Sequence, residues 1–296
     1  MKNVLLGGGR GFVGRHLTKL LKDQGYSVTI LSRQTGKDQI TWNDVKRNGI
    51  PDGCTAVVNV AGENILNPLK RFSDQKYVSE IWKSRVETTK LLADAITASN
   101  KFPEAFVCMS GVGYYPPSKT ASYDENSSGG DDWIGRLAAE WEEAGKLSDN
   151  VNTRHVIIRS GVVLGKDGGM IQILKPIMKV FGGQKVGSGQ QWLPWIHVED
   201  MAGLITYSIQ SDHVTGVLNG VSPDIINNET FTKTFAKSLK RFSFGFVPEW
   251  YIKGMFGPER AMVILEGQKV NPMRTLDVGY KYKYSTISEA CKELAS

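Results

Sequence analysis

A chain of 296 residues, 41% hydrophobic and 22% charged, is long enough for one large α/β unit with a smaller lobe, and its composition excludes disordered, fibrous and low-complexity classes. No apolar run approaches the roughly 18 to 20 residues of a membrane span, and the first, Val4 to Leu6, passes into Gly7-Gly8-Gly9 without the long apolar stretch of an export signal. Lysine plus arginine exceed aspartate plus glutamate by 36 − 30 = 6, but no run concentrates the excess.

Those features predict an intracellular, cytoplasmic protein with neither a nucleic-acid nor a membrane partner, although an organelle is left open. Lys70-Arg71, Lys240-Arg241 and Lys281/Lys283 read as solvated surface. Cys54, Cys108 and Cys291 are odd in number, far apart and form no CxxC pair, so they read as reduced structural thiols. The histidines at 16, 155, 197 and 213 are equally scattered, so no metal site is expected.

In chain order, short β-branched runs alternate with amphipathic stretches, the mark of βαβ units on a parallel sheet. Lys2 to Leu6 predicts a strand and Arg15 to Gln24 its helix, stopped by Gly25. Strands follow at Val28 to Leu31, Ala56 to Val60 and Phe106 to Met109, with one long helical stretch from Gln75 to Ser99. A helix over Asp132 to Leu147 and a strand over Thr153 to Ile158 complete the first half by about residue 165. Gly165 to Pro194 is broken by glycine and proline; a helix starts near Glu199 and a strand lies at Val217 to Asn219. The expected class is therefore α/β, a Rossmann-type doubly wound parallel sheet with a smaller C-terminal lobe. The division is a dinucleotide-binding unit over 1–224, with substrate-side insertions at about 165–200, and a helical C-terminal domain over 225–296 with a short strand or turn at Tyr280 to Tyr284. There are no internal repeats.

The first strand runs directly into Gly8-x-x-Gly11-x-x-Gly14, which opens a helix. Such a turn needs glycine for tightness at Gly8, for close approach of a pyrophosphate at Gly11 and for helix-sheet packing at Gly14, while the helix N-terminus supplies amides and a positive dipole end. Arg10, Phe12 and Val13 complete the expected contacts. At the end of the second strand an NAD site usually carries a carboxylate for the ribose hydroxyl; Ser32-Arg33 stands here instead. A guanidinium can hold a 2′-phosphate in bidentate fashion, so NADP is the expected cofactor, with Arg10 in support.

Several segments then carry a family resemblance: Val4 to Gly14, Asn59-Val60-Ala61-Gly62-Glu63-Asn64-Ile65, Ser110-Gly111-Val112-Gly113-Tyr114-Tyr115, Arg159 to Gly165, Pro194 to Asp200, and Gly267-Gln268-Lys269-Val270-Asn271-Pro272. Together they resemble the epimerase-family extended short-chain dehydrogenase/reductases, specifically the atypical type-U group, over nearly the whole chain. The resemblance implies an NADP-dependent oxidoreductase, with Val60, Ala61 and Gly62 beside the adenosine ribose and diphosphate, Glu80 and Arg85 as further cofactor contacts, and Val163 near the nicotinamide end.

Catalysis is where the chain departs. Typical members pair a serine with Tyr-x-x-x-Lys on one helix, the lysine lowering the tyrosine pKa for proton exchange; the matching helix here reads Trp133-Ile134-Gly135-Arg136-Leu137. Tyr115-Pro116-Pro117-Ser118-Lys119 fits the spacing only on paper, because consecutive prolines forbid a helical pair. Ser110 and Tyr114 remain as candidate catalytic groups, and His197 as a weaker substitute proton donor. Gly187 to Trp192, with Trp195, resembles a substrate-side loop, and Asp200 suits a helix N-terminus. Two functions follow: an NADP(H)-dependent oxidoreductase acting on an unknown small molecule, or a catalytically silent NADP(H) sensor or interaction protein.

Overall fold

The computed structural model describes residues 2–67 and 75–296; the Lys70-Arg71 run lies outside them. Strand β1 (Asn3–Gly7) enters the glycine turn, from which helix α1 (Phe12–Asp23) departs and ends before Gly25, whose φ of 83° suits only glycine. Strands β2 (Ser27–Ser32) and β3 (Gln39–Thr41), helix α2 (Trp42–Asn48) and strand β4 (Cys54–Asn59) follow. Helices α3 (Gln75–Lys83) and α4 (Val86–Thr97) lead to β5 (Ala105–Gly111), a short β6 (Ser122–Tyr123), helix α5 (Trp133–Ala144) and β7 (Arg154–Ser160).

Beyond these come β8 (Val162–Leu164), α6 (Gly169–Phe181), β9 (Gly183–Val186), β10 (Trp195–His197), α7 (Val198–Gln210) and β11 (Gly216–Gly220). The C-terminal part holds α8 (Asn228–Ser238), β12 (Ser243–Val247), α9 (Glu249–Phe256), α10 (Pro258–Leu265), β13 (Lys269–Val270), α11 (Met273–Asp277) and α12 (Ile287–Ala295). Seven strands form one parallel sheet in the order β11-β7-β5-β4-β1-β2-β3, a doubly wound Rossmann arrangement with helices on both faces. Their fully buried apolar runs, such as Val4-Leu5-Leu6 and Ala56-Val57-Val58, are what a sheet covered on both faces requires.

The strand order reverses between β1 and β4, so the crevice beyond their carboxyl ends is the expected ligand site of this topology. A second apolar cluster joins Leu164, Ile171, Met178 and Trp195 to Ile226, Phe231, Phe235, Cys291 and Leu294. The smaller core thus draws on residues from both sides of position 225.

Two local expectations are corrected and a third is narrowed. The helical stretch from 75 to 99 breaks at Ser84-Arg85, where Ser84 Oγ and Arg85 Nη1 both donate to the Ile81 carbonyl oxygen and Ser84 Oγ accepts from the Glu63 amide, side chains competing with the helix for its own backbone. The glycine- and proline-broken region contains the 13-residue α6, which tolerates Pro176 in its interior. Tyr280 to Tyr284 forms no strand; Asp200 Oδ1 and Oδ2 accept the amides of Lys283 and Tyr284 at 2.6 and 2.9 Å and dock this segment on the start of α7.

His155 on β7 stacks on Phe106 with its Nε2 buried and without a hydrogen-bond partner among the described residues, and burial pushes its pKa down to about 4. A histidine that is harder to protonate when folded favours the folded state above its unfolded value near 6.5 and loses that advantage as the pH falls from there toward 4. His155→Phe keeps the stacking and removes the titration. Urea denaturation across that range should show a smaller acid-side loss of stability in the variant, by up to about 3 kcal/mol; identical slopes would rule this origin out.

Candidate functional site

At the switch point two backbones nearly touch. Gly8, with φ of 82°, leaves no room for a side chain: a Cβ there would lie 2.7 Å from the Ala61 amide nitrogen, and one on Gly14 would lie 2.1 Å from the Gly8 carbonyl oxygen. A Cβ on Gly11 would meet nothing nearer than the Gly8 carbonyl oxygen at 3.2 Å and otherwise points into open space. The first helical bond of α1 runs from the Arg15 amide to Gly11, so the amides of Phe12, Val13 and Gly14 have no intrahelical partner, and no acidic side chain or cap occupies the first turn. Glycine spacing alone puts that donor cluster at the ends of β1 and β4, where an anion is best held.

The opposite wall is pinned by a residue that the sequence reading passed over. Buried Asn59 donates to Thr88 and Thr89 through Nδ2 and accepts the Ala61 amide at 3.1 Å through Oδ1, setting the path of Val60-Ala61-Gly62. The Arg85 guanidinium lies behind that loop, where a Cβ on Gly62 would sit 3.1 Å from its Cζ. It donates to the carbonyl oxygens of Ile81 and Glu63, and burial lowers its pKa to about 10. Arg85 therefore buttresses the loop, while Glu80 is half-buried on α3. The Phe12 ring is enclosed by Gly165, Gly168 and Gly169, a contact that brings β8, and with it Val163, to the start of α1. Ser32 is buried and accepts the Gln34 amide. Arg10 and Arg33 are exposed and have no ion-pair or hydrogen-bond partner among the described residues.

A second polar group lies beyond the carboxyl ends of β5 and β7. Buried Ser110 donates to Glu142 Oε1 at 2.8 Å, and Arg159 closes a bidentate pair on Glu142 through Nε and Nη2, both at 2.8 Å. Arg159 Nη1 donates to the Tyr115 hydroxyl at 2.9 Å, which in turn donates to Asn219 Oδ1 at 2.8 Å. Burial opposes the charge on Arg159, but the hydrogen bonds and charge of Glu142 outweigh it and hold the guanidinium protonated well above the usual range. The Arg159 Cζ sits 3.5 Å from the centre of the Tyr114 ring, face-on to a part-exposed phenol. Tyr115 is fully buried and burial raises its pKa, so it acts as a strut between Arg159 and Asn219. The network continues through Asn219 to the Asn271 carbonyl oxygen and through Glu125, which accepts the amides of Asn219, Arg274 and Thr275.

Sequence reasoning had reached Ser110 and Tyr114 but missed Glu142, Asn219 and the function of Arg159; no local spacing connects residues that the sheet alone brings together. Trp133 and Leu137 join Tyr77 and Ile81 in an apolar cluster. Tyr115 follows a single short turn in extended conformation and forms no helical pair with Lys119. His197 has both ring nitrogens engaged, Nε2 with Glu293 and Nδ1 accepting the Glu199 amide at the cap of α7, which removes it as a proton donor. Trp195 is buried, donating to the Asp224 carbonyl oxygen, while Trp192 donates to the Lys119 carbonyl oxygen and abuts Gly267. Arg260 of α10 reaches back to the carbonyl oxygens of Ile65 and Asn67, tying the C-terminal part to the loop after β4. Among the described residues no cluster of three metal-ligating side chains occurs, and no helix is long and apolar enough to cross a membrane.

A Rossmann sheet with an anion cradle at its switch point and a polar cluster beyond β5 defines an extended short-chain dehydrogenase/reductase-type protein. The chain belongs to the NAD dependent epimerase/dehydratase family, whose pattern matches residues 4–219, and residues 247–294 match a domain of unknown function, DUF1731. It is 47% identical over 295 residues to human epimerase family protein SDR39U1, covering 99% of each chain. The crystal structure of human SDR39U1 (isoform 2), obtained with NADPH, superposes with a TM-score of 0.96 at 46% identity over 99% of both chains. A nucleoside-diphosphate sugar epimerase from Corynebacterium glutamicum superposes with a TM-score of 0.78 at 27% identity, over 99% of this chain and 58% of its own.

Removing one member of a buried ion pair strands the other charge, at a cost of about 3 to 5 kcal/mol, whereas replacing both with apolar side chains is far cheaper. Arg159→Met should therefore lower the thermal midpoint sharply, and Arg159→Met with Glu142→Leu should recover much of the loss. A double variant no more stable than the single one would show that the pair is not the source of the effect.

Proposed function

We propose that the chain is an NADP(H)-dependent oxidoreductase acting on a small carbonyl or alcohol substrate. The observation that carries this reading is the open anion cradle formed by the unpartnered amides of Phe12, Val13 and Gly14 beneath Gly11 at the switch point. These residues fit a dinucleotide: Gly8, Gly11, Phe12, Val13 and Gly14 hold the pyrophosphate, and Val60, Ala61 and Gly62 form the facing wall. The Arg33 guanidinium, which has no partner among the described residues, takes the 2′-phosphate with Ser32 and in support Arg10, a reading that the NADPH in the human relative's crystals supports. Arg85 holds the loop at that wall, with Glu80 just over one turn earlier as a further contact on the cofactor side, and Val163 backs the nicotinamide end.

The bound cofactor supplies or accepts the hydride. The chain supplies the rest. Tyr114 gives its phenolic proton to the substrate oxygen, and the Arg159 guanidinium packed against its ring face holds the phenol in place. Ser110, already donating to Glu142, orients that carboxylate under Arg159. Residues 165–200 and 225–296 form the substrate-side lobe over the 1–224 unit. Three buried, unpaired thiols support an intracellular setting.

One observation favours a second reading, a catalytically silent NADP(H) sensor: Trp133 and Leu137 fill the usual tyrosine and lysine positions with apolar packing. Calorimetry should show NADPH bound more than about tenfold tighter than NADH, with the preference lost in Arg33→Asp and all binding lost in Gly11→Trp; equal affinities for the two cofactors would overturn the assignment of Arg33. A panel of carbonyl compounds followed at the NADPH absorbance decides the rest. Turnover that falls about 10²-fold or more in Tyr114→Phe with NADPH affinity unchanged supports the oxidoreductase, whereas silence despite tight binding supports the sensor.

A further inference from the structure

Far along α6 from the glycine turn, the molecule leaves apolar side chains in water. Ile173, Ile177, Val180 and Phe181 follow the i, i+4, i+7, i+8 spacing of one helical face, and all are exposed, Val180 at 73%. The opposite face of the same helix is also apolar, burying Ile171 and Met178 in the second core. Strand β12 repeats the inversion. Ser243 turns its hydroxyl onto the Gly183 carbonyl oxygen, while Phe242 just before the strand and Phe244 and Phe246 within it stay exposed, Phe242 at 87%. The helix end and the strand enclose an open groove of about 470 Å³, lined among others by Val180, Phe181, Phe242 and Phe244 with Lys179 and Arg241 beside them. Apolar side chains gathered in this way mark an interaction surface.

Charge identifies the occupant. Segments 168–186 and 230–248 hold seven of the chain's 36 lysines and arginines and no carboxylate; the other 29 face all 30 aspartates and glutamates, so the whole basic excess resides here. The sequence shows no such concentration because α6 and the Lys237 to Arg241 stretch are some sixty residues apart; Arg241 Nε donates to the Lys179 carbonyl oxygen and joins them. Glu229 pairs with both Lys185 and Lys233, but Lys179, Lys237, Lys240 and Arg241 have no carboxylate partner among the described residues.

We propose that this face, the exposed side of α6 with Phe242, Phe244 and Phe246 and the cations at 179, 237, 240 and 241, docks the protein on the surface of an anionic lipid bilayer. The aromatic and aliphatic side chains enter the boundary between headgroups and acyl chains, and the lysines and arginine meet the lipid phosphates, the arrangement of a peripheral membrane surface. Aliphatic Ile177 and Val180 beside the phenylalanines suit acyl chains better than stacked bases, which need flat rings. The absence of a spanning helix, from which no membrane partner was expected, does not bear on docking of this kind.

Vesicle flotation with the full chain tests it. The protein should float with phosphatidylcholine vesicles containing phosphatidylglycerol and stay behind with phosphatidylcholine alone. Lys179→Glu with Lys237→Glu should weaken the partitioning by more than about tenfold, and Phe242→Ser with Phe244→Ser should abolish it. Both pairs lie on the surface away from the cradle, so melting and NADPH affinity should match the parent and serve as folding controls. Three outcomes overturn the proposal: no flotation with anionic vesicles, binding of a single-stranded oligonucleotide in place of vesicles, or a sedimenting dimer that dissociates in the phenylalanine variant.

Discussion

The structure depends on a backbone contact that only glycine permits. Where the first turn leaves the sheet, the Gly8 carbonyl oxygen occupies the space of any Cβ on Gly14, and Gly8 itself lies against the Ala61 amide. These approaches set α1 directly over the end of β1 and bring the loop after β4 alongside it. Every polar feature of the crevice, from the amides at the helix start to the path fixed by Asn59, inherits its position from that compression. A methyl group at either site would push the helix N-terminus off the switch point, and the anion cradle would lose its alignment before any ligand-contacting side chain had changed.

The Arg159–Glu142 pair is the second organising element, and its reach exceeds its size. It joins β7 to α5, takes in Ser110 from β5, and through Tyr115 and Asn219 connects to Asn271 and to the Glu125 cap over the start of α11. A buried pair contributes little net stability by itself, since the loss of hydration on both ions offsets their attraction. What it provides is specificity: one arrangement of these segments satisfies the pair, and a shifted one leaves a charge unpaired in the interior. The same pair fixes a cation against the ring of Tyr114, and that cation arrives on a strand rather than on a helix.

The legible part of the molecule was whatever repeats locally. Alternating β-branched runs and the glycine spacing were enough for the parallel sheet and for the cradle, because strand period, turn conformation and helix start are decided by neighbours within about ten residues. The break at Ser84-Arg85 was hidden because the competing acceptor, the Ile81 carbonyl, is backbone, and composition carries no sign of it. Helix α6 was obscured by its own Pro176 and the glycines around it. Glu142, Asn219 and Glu125 were invisible for a different reason: each is an ordinary surface-type residue in sequence, and only the packing of α5, β11 and the chain after β5 makes it the internal partner of a charge or an amide.

The same distinction between local and assembled features separates the two faces of the protein. At the crevice, side chains that look unremarkable in sequence are buried and fully paired, as expected where a site must hold its geometry against water. On the outer face of α6 and β12 the reverse holds: apolar side chains that would normally be buried are exposed, and Lys179, Lys237, Lys240 and Arg241 have no carboxylate partner among the described residues. Neither exposed phenylalanines nor unpaired lysines stabilise the isolated fold. Their joint concentration on the lobe built from residues on both sides of position 225 therefore reflects a requirement outside the chain itself, and a surface that is both apolar and cationic is matched by the chemistry of an anionic lipid interface.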